Sequence, residues 1–285
     1  MQGIRAYYRL AKPGIVYGNT VALVAGYMYA VLDTQQFSVV SLTLAVLGTA
    51  LVMASACVAN NIFDKDIDAY MSRTKKRALV TQDISISAAS LYSIILLGSG
   101  LYALYMISGF AMILGLFGWV TYALVYTYLK RKTYHATLFG TIPGAVPPIL
   151  GYVAGEGQSW LWTTGILVLM IGWQMVHFYV IAIYRYNDYT KAAVPVVSRV
   201  LGIKQTVRAI EWWVLLSIIG IIILGLINAL YAVLSLAMLA WWLFVTQRYE
   251  QDAMVWSRRV FFSSLLFLVI WLGITSATAI FTLAQ

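Results

Sequence analysis

Long apolar stretches recur along this chain, separated by short polar segments. Each stretch holds about 20 residues, the length at which an α-helix crosses the hydrocarbon core of a bilayer. They lack the regular polar–apolar alternation of membrane β-strands, so helices are favoured. The pattern predicts an all-α, polytopic membrane bundle of nine transmembrane helices, near residues 15–32, 38–58, 86–106, 110–128, 136–154, 161–184, 212–229, 231–246 and 260–282.

Composition supports lipid as the solvent for most of the chain. Of the 285 residues, 62% are hydrophobic and 10% are charged, whereas soluble domains carry about 25% charged residues. No linker or low-complexity segment interrupts the sequence, which predicts a single membrane-embedded domain over residues 1–285. The eighth apolar stretch is short, so a bundle of eight spans is the alternative.

The basic residues decide between nine spans and eight. With nine, all 19 Lys and Arg residues fall in segments on one side of the bilayer, while the opposite loops hold only Asp33 and Glu156. Because basic loops stay in the cytoplasm, we expect a cytoplasmic N-terminus and an external C-terminus. The net charge of +9 then reflects membrane topology and not a nucleic-acid partner.

The N-terminus resembles a signal peptide, since Arg5, Arg9 and Lys12 precede the first apolar run. That run continues to about residue 32 without a convincing cleavage site, which predicts a first transmembrane helix. No long presequence rich in Arg and Ser precedes it. We therefore expect a bacterial or archaeal plasma (inner) membrane and not a mitochondrion.

Three oxygen-bearing side chains stand four residues apart where the second predicted span ends. Asn60, Asp64 and Asp68 would share one face of a continuing helix, because four residues advance about 40° beyond a full turn. Such oxygens suit Mg²⁺, which often binds one or two carboxylates together with substrate phosphates. The spacing favours a magnesium site, with a solvated helix end as the alternative.

Basic side chains near both long inner loops, about 60–85 and 185–211, suit phosphate oxygens. In the first loop they follow the acidic positions directly, which favours a diphosphate site. In the second loop they flank Asp188, the only carboxylate near the end of the sixth span. The candidates are Arg73, Lys75, Lys76 and Arg77 in the first loop, and Arg185 and Lys191 in the second.

These residues carry a family resemblance. N-x-x-x-D-x-x-x-D followed by R-T-x-x-R-x-L, running from Asn60 to Leu79, resembles the first aspartate-rich motif of the intramembrane (UbiA-type) prenyltransferase superfamily. Its members usually carry D-x-x-x-D after the sixth span, where this chain has Tyr184 in place of the first aspartate. That departure, within W-Q-x-x-H-x-Y-x-I-A-I-x-R-x-x-D-Y, resembles the haem O synthase branch, and the similarity extends over about residues 8–260.

The resemblance implies a Mg²⁺-dependent enzyme that transfers farnesyl from farnesyl diphosphate to a vinyl group of haem B, giving haem O and diphosphate. It implies catalytic roles for Asp64, Asp68, Asp188 and Tyr184, and metal binding by Asn60, Asp64, Asp68 and Asp188. It implies diphosphate binding by Arg73, Lys75, Arg77, Arg185 and Lys191. The missing aspartate leaves one or two metal ions open. A haem A synthase or a terminal oxidase is the implied partner.

His177 lies within the sixth predicted span, where a histidine is a functional candidate. It would ligate the haem iron or position a propionate, with a hydrogen-bonded structural histidine as the alternative. Three rival functions share the sequence pattern in part. Prenylation of a quinone precursor would favour a complete second D-x-x-x-D, and a transporter would place ionisable residues near mid-membrane. A haem-binding assembly factor would not need the Asn60–Asp64–Asp68 face.

Overall fold

The protein is all-α in the computed structural model, which describes residues 2–247 and 252–285. Within these residues, nine helices are long and apolar enough to cross a membrane, so the predicted bundle is confirmed. In chain order, spans 1 to 9 are Pro13–Thr34, Val39–Phe63, Ile86–Tyr105, Gly109–Leu129, Ala136–Ala154, Trp160–Tyr184, Ile203–Gly225, Ala229–Gln247 and Ala253–Leu283. A short helix, Gln2–Leu10, precedes span 1.

Two spans begin earlier than the apolar pattern predicted. Span 7 starts at Ile203, so the first turns of this helix carry Lys204 and Arg208. Span 9 starts at Ala253, which places Arg258 and Arg259 in the helix and not in a loop. Counting apolar residues finds only the part of a helix that lies in hydrocarbon, whereas backbone hydrogen bonding continues into the polar region. Arg248, also assigned to that loop, lies outside the described residues.

The predicted inner loops contain helical structure. In the second loop, Tyr186–Lys191 and Val197–Val200 form short helices before span 7 begins. In the first loop, span 2 ends at Phe63 and a single helical turn, Lys65–Asp68, follows. The continuous helix expected through Asn60, Asp64 and Asp68 is therefore interrupted at Asp64, whose backbone has φ −93° and ψ 1°.

Spans 1, 2, 5 and 6 form the centre of the bundle, because more than half of the most apolar stretch of each is buried inside the protein. Spans 1 and 5 approach most closely at two glycines. A Cβ atom on Gly26 would lie 2.0 Å from the carbonyl oxygen of Pro148, and one on Gly151 would lie 2.0 Å from that of Leu23. The absence of side chains lets these two backbones touch.

The two ends of the bundle differ. At the end away from the basic residues, Asp33 accepts hydrogen bonds from Tyr152 (2.5 Å) and Trp162 (3.0 Å), which joins spans 1, 5 and 6. At the opposite end, here named the basic end, an apolar cluster packs the first loop against the N-terminal helix and spans 2 and 3. Its buried residues are Leu10, Val58, Leu79, Ile84 and Ala89. This cluster holds the first loop over the bundle.

Candidate active site

A cavity of about 760 Å³ opens among spans 1, 2, 4, 5, 6 and 9 and reaches the loops of the basic end. At the basic end, its lining includes eight charged or amide side chains from four parts of the chain: Lys12, Asn60, Asp64, Asp68, Arg73, Arg77, Lys130 and Arg185. Deeper in the bundle the lining is mainly apolar and aromatic. One cavity therefore joins a charged mouth to an interior suited to an apolar molecule.

Asn60, Asp64 and Asp68 all face the cavity despite the helix break at Asp64. The amide of Asp64 donates to the carbonyl of Asn60 (2.9 Å), and the amide of Asp68 donates to that of Asp64 (2.8 Å). The fourfold spacing of the hydrogen bonds is thus preserved across the interruption. All three side chains line the cavity and are almost completely buried.

Each of these three side chains contacts a basic one. Lys12 Nζ donates to Asn60 Oδ1 (2.5 Å). Lys130 pairs with Asp64, and Arg77 pairs with Asp68. Buried carboxylates need such partners, because an unpaired charge in a low-dielectric region is costly.

The donor set fits a divalent cation that also binds substrate. Asp64 Oδ1 is buried without a hydrogen-bond partner in the described part of the chain, with Arg131 at 3.8 Å. Across residues 2–247 and 252–285, no group of three or more His, Cys, Asp or Glu side chains could hold a metal. The candidate ligands are thus two carboxylates and the Asn60 amide oxygen, and Mg²⁺ commonly combines one or two carboxylates with water and substrate phosphate.

Burial perturbs the two lysines at the mouth. It lowers the pKa of Lys12 to about 8, and neighbouring Arg77 and Lys130 act in the same direction. Burial also lowers the pKa of Lys130, although Asp64 opposes this shift. Lys12 has a left-handed backbone (φ 52°) directly before Pro13, a strained conformation for a residue with a side chain. Such strain often accompanies a functional role.

The predicted site residues at the end of span 6 and in the loop after it lie only partly in the cavity. Tyr184 and Arg185 line it, and the Arg185 guanidinium lies 4.5 Å from the Tyr184 ring centre. Asp188 does not line it. Its Oδ1 accepts from the hydroxyl (2.5 Å) and the amide (3.2 Å) of Ser72, in the first loop. These hydrogen bonds, with nearby Arg185 and Arg73, lower the pKa of Asp188.

Lys75 and Lys191 are exposed and stand outside the cavity lining. Of the five predicted diphosphate ligands, the structure therefore brings Arg73, Arg77 and Arg185 to the cavity. Sequence proximity to the motif cannot distinguish cavity-facing from solvent-facing loop residues.

Comparison with known proteins identifies the family. The model of the UbiA prenyltransferase family matches residues 20–271. The chain belongs to the UbiA prenyltransferase family. It is 37% identical over 273 residues to protoheme IX farnesyltransferase of Yersinia pseudotuberculosis serotype O:1b (strain IP 31758), covering 92% of this chain and 91% of that protein. It is 39% identical over 271 residues to that of Aliivibrio salmonicida (strain LFI1238), covering 92% of each.

The fold is shared with solved members of the UbiA family. A UbiA homolog from Archaeoglobus fulgidus bound to GPP and Mg²⁺ superposes with a TM-score of 0.74. The two sequences are 17% identical, and the match covers 95% of this chain and 99% of the other. At this identity the likeness concerns the fold.

Three contributors to the UbiA-family site were not among the sequence-predicted residues: Lys12, Lys130 and Thr127. The Thr127 hydroxyl accepts from Asn60 Nδ2 (2.8 Å) and donates to the Tyr122 carbonyl (2.9 Å). That carbonyl belongs to a π-helical stretch of span 4, Thr121–Tyr126. The sequence offered one signal for the lysines, which is their position in basic segments. The positive-inside rule already explained why those segments are basic, so they did not indicate a binding site.

His177 lines the deeper part of this UbiA-family cavity. Its ring stacks between Trp173 (5.2 Å between centroids) and Phe261 (5.1 Å), and Nδ1 lies 2.7 Å from Ser264 Oγ. Phe261 also stacks with Tyr184 (6.4 Å). A column of rings thus connects the histidine to Arg185 at the charged mouth.

Proposed function

We propose that this chain is a protoheme IX farnesyltransferase, transferring farnesyl from farnesyl diphosphate to a vinyl group of haem B and releasing diphosphate. The observation that carries the proposal is the single cavity that joins paired carboxylates and basic side chains to an aromatic interior with a histidine. The names of relatives 37–39% identical over 92% of the chain support the same reaction.

At the mouth, Asn60, Asp64 and Asp68 would hold Mg²⁺ together with the diphosphate. Bound there, the metal would supply positive charge next to the diphosphate leaving group of the allylic substrate. Lys12, Lys130 and Arg77 contact these three side chains in the protein. With metal and substrate bound, these basic groups would be free to contact phosphate oxygens, together with Arg73 and Arg185.

The residues at the end of span 6 and just after it do not contact the metal directly. Asp188 is bonded to Ser72 and holds the two inner loops together over the mouth. Tyr184 stands in the cavity wall beside Arg185, where it keeps the guanidinium over its ring. Lys75 and Lys191 are exposed and attract the anionic substrate from solution.

The interior accommodates the farnesyl chain and the porphyrin. The allylic carbon forms a bond to the terminal vinyl carbon, water adds to the adjacent carbon, and that water loses a proton. Because an allylic cation would be captured by bulk water, the apolar and aromatic lining has to exclude it from the first step. His177, in the deeper wall, ligates the haem iron.

The charged mouth lies on the cytoplasmic side of a plasma (inner) membrane. All 19 basic residues follow the predicted parity of the nine spans, which supports a cytoplasmic N-terminus and an external C-terminus. Haem O leaves the protein for a haem A synthase or a terminal oxidase, the proposed partners.

The direct test incubates detergent-solubilised protein with haem B, farnesyl diphosphate and Mg²⁺, followed by mass spectrometry of the porphyrin. We expect farnesylated, hydroxylated haem in an amount that depends on Mg²⁺. Product with a phenolic acceptor but none with haem B would move the function to quinone-precursor prenylation. A transporter or an assembly factor would give neither product.

A further inference from the structure

Two side chains of span 6 are bonded to one residue of span 9. Trp173 Nε1 donates to the backbone carbonyl of Ser264 (2.8 Å), and His177 Nδ1 lies 2.7 Å from the Ser264 hydroxyl oxygen. Trp173 and His177 are one helical turn apart, so they share a face of span 6. The two contacts join spans 6 and 9 at the wall of the cavity.

The geometry of Ser264 fixes which nitrogen of His177 carries the proton. The Ser264 hydroxyl lies 2.6 Å from the carbonyl oxygen of Phe261 and donates to it. A carbonyl can only accept, and a hydroxyl has one hydrogen to give. The Ser264 oxygen is therefore an acceptor toward His177, and Nδ1 has to be the N–H donor.

The other ring nitrogen is then the one that carries a lone pair. In neutral imidazole, a protonated Nδ1 leaves Nε2 as the acceptor or metal ligand. Within the described residues Nε2 has no hydrogen-bond partner, and the stacked rings of Trp173 and Phe261 hold the imidazole plane. His177 thus presents a basic nitrogen in the lining of the cavity.

We propose that Ser264 is a positioning residue that holds His177 in the Nδ1–H tautomer, so that Nε2 binds the iron of the porphyrin substrate. This inference rests on the proposed function for its ligand, but the tautomer itself does not. Histidines that bind metals usually donate their other N–H to a fixed acceptor, which sets the ring orientation and raises ligand basicity. Here the acceptor is a hydroxyl fixed in turn by a main-chain carbonyl.

The tautomer can be measured without substrate. The chain has two histidines, His135 and His177, so labelling with ¹⁵N-histidine gives two sets of ring signals, and His135→Gln assigns them. We expect protonated Nδ1 and unprotonated Nε2 for His177. In Ser264→Ala, which retains the carbonyl bound by Trp173, we expect the proton to move to Nε2. An Nε2–H tautomer in the parent protein, or no change in Ser264→Ala, would overturn the inference.

Two variants separate positioning from loss of structure. Ser264→Thr keeps a hydroxyl and should restore the parent tautomer. Ser263→Ala removes the adjacent hydroxyl, which makes the same kind of bond to the Val260 carbonyl (2.9 Å) but does not contact His177. It should leave the ring signals of His177 unchanged. A shift as large as that of Ser264→Ala would mean that the effect is general disturbance of span 9.

Binding of haem B, followed through its Soret band, tests the second part of the proposal, that Nε2 of His177 binds the iron. Ser264→Ala should weaken binding about 10-fold or more, the usual effect of removing the partner of a metal-binding histidine. Ser264→Thr and Ser263→Ala should bind as the parent does. A tautomer change with unaltered haem affinity and spectrum would contradict iron ligation by His177 and leave the farnesyl-transfer assay to judge the proposed function separately.

Discussion

Ser72 donates two hydrogen bonds to one oxygen of Asp188 and so joins the loop after span 2 to the loop after span 6. Asp188→Asn keeps an acceptor oxygen but removes the charge. It therefore distinguishes two roles for Asp188, a hydrogen-bonded latch between the two loops and a metal ligand. We expect Asp188→Asn to lower kcat/KM for farnesyl diphosphate less than 10-fold and Asp188→Ala to lower it about 10- to 100-fold, as losing hydrogen bonds to a charged group would. Steady-state kinetics at saturating haem B measures both.

Ser72→Ala provides the complementary measurement. The backbone amide of residue 72 still donates, so we expect an effect between those of the two Asp188 variants. If Asp188→Asn were as inactive as Asp188→Ala while Ser72→Ala kept full activity, the carboxylate charge would be the essential property, and a metal-binding role would replace the latch.

The first motif should behave differently. Asp64→Ala and Asp68→Ala should each abolish turnover, by at least about 100-fold, because stabilisation of the leaving group is lost. Asp64→Asn is a gentler second variant, since Lys130 then keeps a polar partner. Asp66→Ala is the matched control. That residue is exposed and paired with Arg131 (2.7 Å), and we expect near-normal activity. Gel filtration in detergent should show all four proteins folded, and substantial turnover by either alanine variant would refute the metal assignment.

The perturbed lysine predicts a pH dependence. Burial lowers the pKa of Lys12 from 10.5 to about 8, so the free protein loses this positive charge as the pH rises through 8. If Lys12 binds diphosphate, affinity for inorganic diphosphate with Mg²⁺ should fall by up to about tenfold per pH unit above 8. Isothermal titration calorimetry between pH 6.5 and 9.5 measures this fall.

Lys12→Arg controls for titration of the diphosphate itself, because a guanidinium stays protonated throughout this range. The ratio of the two dissociation constants should be flat below pH 7.5 and diverge above pH 8, in favour of the arginine variant. A ratio independent of pH would mean that the charge of Lys12 does not contribute to binding.

The sequence predicted the architecture well because bilayer thickness constrains helix length so strongly. Nine apolar stretches became nine spans within residues 2–247 and 252–285, and the errors in their bounds lay at helix ends such as Ile203 and Ala253, where helices continue beyond the hydrocarbon. The placement of all 19 Lys and Arg residues on one side of the bilayer had already favoured nine spans over eight. Neither signal requires knowledge of tertiary contacts.

The site was less predictable because its geometry is tertiary. The spacing of Asn60, Asp64 and Asp68 correctly indicated one cavity-facing set, although the helix breaks at Asp64. Lys12 and Lys130 are 48 and 66 residues from their partners, so no local pattern links them. The π-helical stretch that exposes the Tyr122 carbonyl to Thr127 likewise has no distinguishing sequence.

The close contact between spans 1 and 5 makes a prediction about stability. Gly26→Ala would place Cβ 2.0 Å from the Pro148 carbonyl oxygen, and because both groups belong to helix backbones, the helices themselves must separate. Overpacking of this kind costs about 1–3 kcal/mol or more. We expect a clear fall in the thermal midpoint in detergent, and the same for Gly151→Ala, which meets the Leu23 carbonyl.

Gly98→Ala is the matched control within span 3, since nothing lies within 4 Å of its Cβ position. Alanine favours helix by about 1 kcal/mol over glycine, so this variant should be as stable as the parent or more so. The thermal midpoint should therefore fall for Gly26→Ala and stay the same or rise for Gly98→Ala, although alanine favours the helix equally at both positions. If Gly26→Ala and Gly98→Ala shifted the midpoint equally, the backbone contact between spans 1 and 5 would not be what holds these helices together.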